Sequence, residues 1–215
     1  NTLVVGARHD NDPDITPSGS HTGAVYVFVH NGIAWSQQAY ITAPNPDALD
    51  YFGSAVALYD DTLVVGVQNE DSKSTGINGF QTDNSAENAG AVYVFTRSIT
   101  TWSLQAYIKA SNTDAKDYFG SDIAIGANTL VVGASGEASF KSGLQDDNSE
   151  DNSGAVYVFT RNTAGTWSQQ AYIKASNPDS VDWFGRSVAL FEDTLVVGAN
   201  GEDSNATGIN SNDSD

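Results

Sequence analysis

Gly23-Ala24-Val25-Tyr26-Val27-Phe28 is a six-residue stretch that returns unchanged at 90–95 and 154–159. Its length is that of a single β-strand, and its β-branched and aromatic residues favour a pleated backbone. Both faces are apolar, with Ala24, Tyr26 and Phe28 on one and Val25, Val27 and Val29 on the other. A strand with one face in water alternates polar with apolar residues, so this one is predicted to be covered on both sides. Three such copies imply sheets stacked against sheets.

Other landmarks keep the same period. LVVG stands at 3–6, 63–66, 130–133 and 195–198. Each GAVYVF is followed by a tryptophan (Trp35, Trp102, Trp167), and then by a Phe-Gly pair at Phe52-Gly53, Phe119-Gly120 and Phe184-Gly185. Tryptophan to phenylalanine is 17 residues in all three copies, and phenylalanine to the LVVG glycine is 14. Such fixed spacings define a structural unit of about 65 residues.

Within 50–112 the turn signals divide one unit into four strands, at 54–59, 62–67, 91–96 and 102–109, in up-and-down antiparallel order. Residues 117–177 repeat the pattern; 1–45 supply strands two to four of an earlier unit, and 182–215 strands one and two of a later one. No helix is predicted. Four-stranded sheets that need cover on both faces are best satisfied by radial packing, so the expected fold is all-β: a β-propeller of four-stranded antiparallel blades, partial or cut from a larger one. A linear β-solenoid competes, but its coils are much shorter than this unit. Phe52, Phe119 and Phe184 are expected in the core between blades, each followed by a glycine that allows close backbone approach.

With 215 residues the chain can bury a sizeable core. Its formal charge of -18 sets nucleic acid and anionic membranes against Coulomb repulsion, and no apolar run is long enough to span a bilayer. Without cysteine there is no disulfide, thiolate metal site or thiol chemistry. The chain starts in mid-repeat without a methionine, and Asp215 matches Asp83 inside a loop. It is therefore expected to be a piece of a longer array, continuing into further repeats or completing its ring by assembly.

The connection between strands two and three varies while the rest holds constant, at 17, 24 and 21 residues from the LVVG glycine to that of GAVYVF. A scaffold that varies its loops places recognition there. Four residues after each LVVG glycine stands an acid, Asp10, Glu70, Glu137 or Glu202, with a second at Asp71 and Asp203. Asp83 and Asp147 come late in their loops, and Asp10, Asp12 and Asp14 alternate in the first. Carboxylates beside Asn and backbone carbonyls are the hard oxygen ligands of calcium, so calcium is the expected cofactor, with these residues its candidate ligands. The competing role for the same acids is to cap turns.

The strand four-to-one connection repeats as well. Asp50-Tyr51, Asp117-Tyr118 and Asp182-Trp183 place an acid beside an aromatic just before each Phe-Gly. Such a pair suits a sugar or a basic side chain and is a candidate ligand site; a turn aspartate beside a packed ring is the alternative. Antiparallel order puts this connection on the same acidic face as the two-to-three loop. His9, His21 and His30 occur in the first repeat alone, and no nucleophile constellation recurs, so no enzyme activity is expected.

Phe-Gly, a strand, a hairpin, a strand ending in Gly6-Ala7, Gly66-Val67, Gly133-Ala134 or Gly198-Ala199, then GAVYVF, together resemble the FG-GAP repeat of integrin α subunits and many bacterial surface proteins. The proline that completes the family name is replaced by Arg8, Gln68, Ser135 and Asn200. The resemblance implies an extracellular or cell-surface propeller, a non-enzymatic recognition or adhesion module for a protein or glycan ligand, often calcium-binding. In the integrin type, calcium sits in the loop between strands one and two. Here that hairpin is Asp60-Asp61, Ala127-Asn128 or Glu192-Asp193, too short to supply six to eight oxygens. Two other functions compete: a passive structural array that spaces other parts of a surface protein, and a glycan-binding lectin.

Overall fold

A computed structural model describes residues 1–10, 20–140, 145 and 147–204. Every regular element among them is a β-strand. The first blade holds β1 (Thr2–Ala7), β2 (Ala24–His30) and β3 (Trp35–Ile41). The second is complete, with β4 (Ala55–Tyr59), β5 (Thr62–Val67), β6 (Ala91–Ser98) and β7 (Thr101–Ile108). The third holds β8 (Phe119–Ile125), β9 (Thr129–Ala134), β10 (Ala155–Arg161) and β11 (Trp167–Ile173), and the fourth β12 (Phe184–Phe191) and β13 (Thr194–Ala199). Each sheet runs in chain order with antiparallel neighbours, as the turn signals predict. Successive inner strands pack on one another, β4 on β8 and β8 on β12, so the blades fan out as in a β-propeller.

Each central strand feeds two cores. Leu63, Val65, Tyr93 and Phe95 pack toward the first blade with Val25, Val27 and Phe52. Val64, Val92 and Val94 point the other way, meeting Phe119, Leu130, Val132, Tyr157 and Phe159. This is the double coverage read from GAVYVF. Phe52 and Phe119 are fully buried, and Phe184 is half-buried at the open fourth blade.

The joint between blades is a backbone contact. Gly23, Gly90 and Gly154 each form an isolated parallel bridge to the phenylalanine of the next Phe-Gly pair. A Cβ on Gly90, whose φ is +83°, would lie 2.1 Å from the Phe119 carbonyl oxygen. One on Gly66 would lie 2.4 Å from the carbonyl oxygen of Gly120. Neither distance admits an atom, so both positions require glycine on steric grounds, and Gly90 requires it by its φ as well.

A second device works at the outer edge. Strand three pairs with strand four through a one-residue register shift, which leaves Gln38, Gln105 and Gln170 unpaired. A bulge re-aims its extra side chain. Gln38 Oε1 accepts from Trp102 Nε1 of the next blade at 3.2 Å, and Gln105 Oε1 from Trp167 Nε1 at 3.0 Å. Arg97 and Arg161 stack over these two indoles, each 5.1 Å from the ring. Trp102 and Trp167 are therefore spent on blade contacts, whereas Trp35 is exposed on the open face of the first blade.

Truncating a fully buried joint phenylalanine removes its transfer energy and leaves a cavity. Phe119→Ala is expected to cost about 3–5 kcal/mol, whereas Phe191→Ala, at a site 75 % exposed, should stay within about 0.5 kcal/mol. Urea unfolding of the two variants checks this.

Candidate functional site

The loops from strand two to three and from strand four to one meet at one end of the blades. Their acids divide into three groups. Glu70 and Glu137, the regularly placed acids of the two complete blades, are buried and ion-paired. Lys109 Nζ lies 2.9 Å from Glu70 Oε2, and Lys174 Nζ 3.0 Å from Glu137 Oε2. The other oxygens are also engaged: Tyr107 donates to Glu70 Oε1 at 2.8 Å and Asn112 Nδ2 to Glu137 Oε1 at 3.1 Å. Ser72 N and Ser139 N complete the two sets. A cation would have to displace a lysine to reach either carboxylate. Burial pulls both ammonium groups below the ordinary lysine value, and the partner glutamates oppose that pull.

The lysines were legible but overlooked. The chain has nine basic residues, and two of them, Lys109 and Lys174, occupy the same place after Tyr-Ile at the end of strand four. In the first blade Thr42 stands there, and Asp10 accepts instead from the Tyr26 hydroxyl at 2.5 Å. That hydrogen bond, ahead of burial, pushes the Tyr26 hydroxyl up to about 12.

The second group comprises Asp50, Asp117 and Asp182, all at most 3 % exposed. Each closes a turn by accepting from the backbone N–H three residues before it, at 3.2, 2.9 and 2.8 Å. The flanking residues take left-handed conformations, Leu49 and Tyr51 in the first copy, Lys116 and Tyr118 in the second, Val181 and Trp183 in the third. The carboxyl is thus turned inward and the aromatic outward. Burial pushes Asp50 and Asp117 up to about 8, with Glu70 and Glu137 respectively adding repulsion, and it raises Asp182 as well.

The remaining acids are spread along the loops. Asp71 accepts from Asn88 N at 2.7 Å, and Asp83 from Ser85 N at 3.1 Å. Glu202 accepts from Asn177 Nδ2 and Ser204 N, each at 3.1 Å. Asp147 and Asp203 stand on the third and fourth blades' loops, while Asp12 and Asp14 lie outside the described residues. Among the described residues no three of Asp, Glu, His or Cys gather closely enough to hold a metal ion. His9 and His21 pack edge-on to each other, and His9 against the Tyr51 ring, with centroids 5.2 Å apart in both contacts.

Where the third and fourth blades meet, the same face opens into a cleft of about 340 Å³, lined by Tyr118, Trp183, Ser135, Asn152, Asn200 and Arg186. Tyr118 and Trp183 are the aromatics of successive four-to-one turns. Ser135 and Asn200 immediately follow β9 and β13. Asn152 takes φ +59° and accepts from Trp183 N at 2.9 Å, which fixes the ring's backbone, and Arg186 N in turn donates to the Trp183 carbonyl at 3.0 Å. The lining combines two aromatic side chains with amide, hydroxyl and guanidinium groups, and among the described residues no carboxylate lines it.

Compared with known families, the chain matches the FG-GAP repeat over 35–95, 102–159 and 167–213. The chain belongs to the FG-GAP repeat family. No curated protein matches it. Each FG-GAP match opens on the outer strand of one blade, and the first two close with the GAVYVF strand of the next, so the repeat is out of phase with the blade. The hairpins between FG-GAP strands one and two are two or three residues long, and Asp61 in one of them is paired with Arg97 at 2.6 Å. Ser135 and Asn200 occupy FG-GAP proline positions. At those positions the chain departs from the motif and carries cleft-lining groups instead.

Two outcomes follow from the buried acids. Glu70→Gln leaves the Lys109 charge buried without its partner and is expected to destabilise by about 3–5 kcal/mol, while adding Lys109→Met should recover most of the loss. Denaturant titration of the single and double variants reads this directly. Asp50 and Asp117 hold their protons more tightly folded than unfolded, where such carboxyls titrate near ~4. Their stabilisation is complete below that value and is lost as pH rises through about 8. The melting midpoint should therefore fall between pH 5 and pH 9, and Asp117→Asn should flatten part of the slope.

Proposed function

We propose that this chain is an extracellular, non-enzymatic binding or adhesion module that takes a protein or glycan ligand on the face formed by its two-to-three and four-to-one loops. The observation that carries the reading is the cleft between Tyr118 and Trp183. Aromatic side chains held by backbone hydrogen bonds around a concave, polar-lined space form the usual architecture of a recognition site. FG-GAP repeats are typical of extracellular proteins and often bind protein ligands, which supports the same reading.

A second exposed ring belongs to the same loops. Phe80 is 82 % exposed, yet its carbonyl accepts from Ser72 Oγ at 2.9 Å and Ser74 Oγ at 2.5 Å. A large apolar ring held in water by a tethered backbone loses little further conformational entropy on binding. The rigid sheets beneath serve to position loops whose length differs in each of the first three blades.

Immobilised chain probed against glycan and protein arrays tests the proposal. A ligand should be retained, and Trp183→Ala should weaken it at least tenfold, a loss of about 1.4 kcal/mol, with the circular dichroism spectrum unchanged. Blank arrays would favour the passive spacer.

A further inference from the structure

Arg186 departs from the repeat. The residue after Phe-Gly is Ser54 in the second blade and Ser121 in the third, but arginine in the fourth. Two of the other three arginines do structural work: Arg97 is held by Asp61, and both Arg97 and Arg161 stack on tryptophan. Arg186 is exposed, and among the described residues no carboxylate lies within ion-pairing distance of its guanidinium. In a chain of charge -18, an arginine at the mouth of a cleft without an acid beside it calls for an explanation. The nearest acid in sequence, Asp182, is engaged within its own turn, accepting from Asp179 N at 2.8 Å.

The cleft adds shape to that charge. Tyr118 and Trp183 supply ring faces, which suit the C–H face of a pyranose. Ser135, Asn152 and Asn200 offer donors and acceptors for hydroxyls. The guanidinium supplies a planar fork that matches a carboxylate. Resting on the reading that this face binds a ligand, we propose that the Tyr118–Trp183 cleft takes a carboxylate-bearing sugar ring, a hexuronate within an acidic polysaccharide, with Arg186 as its anion-binding group. The site occurs once in this chain because the arginine occurs once at that repeat position. The chain's negative field opposes long polyanions, but screening at physiological salt limits that field to about 8 Å, and the contact with Arg186 is local.

The test uses the whole chain and a short oligogalacturonate, chosen to limit long-range repulsion, beside a neutral galactan oligomer and polyglutamate. Calorimetric titration should show binding to the oligogalacturonate. It should weaken at least tenfold with Arg186→Ser, which restores the residue of the other repeats, and with Trp183→Ala. Arg186→Lys should keep only part of the affinity, because an ammonium lacks the fork. Equal binding of the neutral oligomer, indifferent to Arg186→Ser, would overturn the inference and leave the binding module standing. Binding of polyglutamate in place of the sugar would overturn it likewise. No glycan binding, alongside a protein-array ligand lost in Trp183→Ala, would again remove only the inference; no ligand of any kind would remove both.

Discussion

The structure depends on one steric constraint, the approach of backbone to backbone where successive blades meet. The glycine opening each GAVYVF strand sits against the next Phe-Gly carbonyl, closer than any side chain allows. That approach seats the phenylalanine between two sheets, and the seated phenylalanine organises Tyr93 and Phe95, or Tyr157 and Phe159, around it. Packing at this density makes the joint intolerant of change in volume. The strongest sequence identities between repeats, GAVYVF and Phe-Gly, are the residues that the contact demands.

Above the joint lies a buried polar layer. Asn112, on the connection into the third blade, donates to Glu137 and accepts from Tyr157, so one amide ties the turn to the following sheet. Lys174 reaches Glu137 and Ser153 from the outer strand of that same sheet. Each complete blade thus buries one carboxylate, one ammonium and an inward-turned aspartate. Burial raises the aspartate toward its neutral form, which brings the layer closer to charge balance. Such a layer contributes less to stability than an apolar core of equal size would, but it fixes which way the loops above it must run.

The fold was legible in the sequence because it is repeated. In the second blade strand two falls where the pattern places it, strand three starts as read but runs on to Ser98, strand one begins one residue later, and strand four is shifted one residue earlier. In the third and fourth blades strand one includes Phe-Gly across a register shift, a bulge that alternation of residue types does not announce. The site was less legible. Sequence drew attention to the regular acids, yet the partner of Glu70 is Lys109, 39 residues away, and proximity across a sheet is invisible until the strands are paired. Tyr118 and Trp183 were visible as repeated aromatics. Their convergence on Ser135 and Asn200 depends on how two blades abut. Arg186 was visible only as a break in repetition, a weaker signal than repetition itself.

Because each FG-GAP match starts in one blade and reaches into the next, the covalent unit and the folded unit are staggered. Recombination between two GAVYVF copies would insert or delete a stretch carrying both halves of the contact it needs. Such an event changes the number of blades without leaving a mismatched seam, and each inserted unit brings its own two-to-three loop with it. The offset thus lets an array of this kind alter its length in a single genetic step.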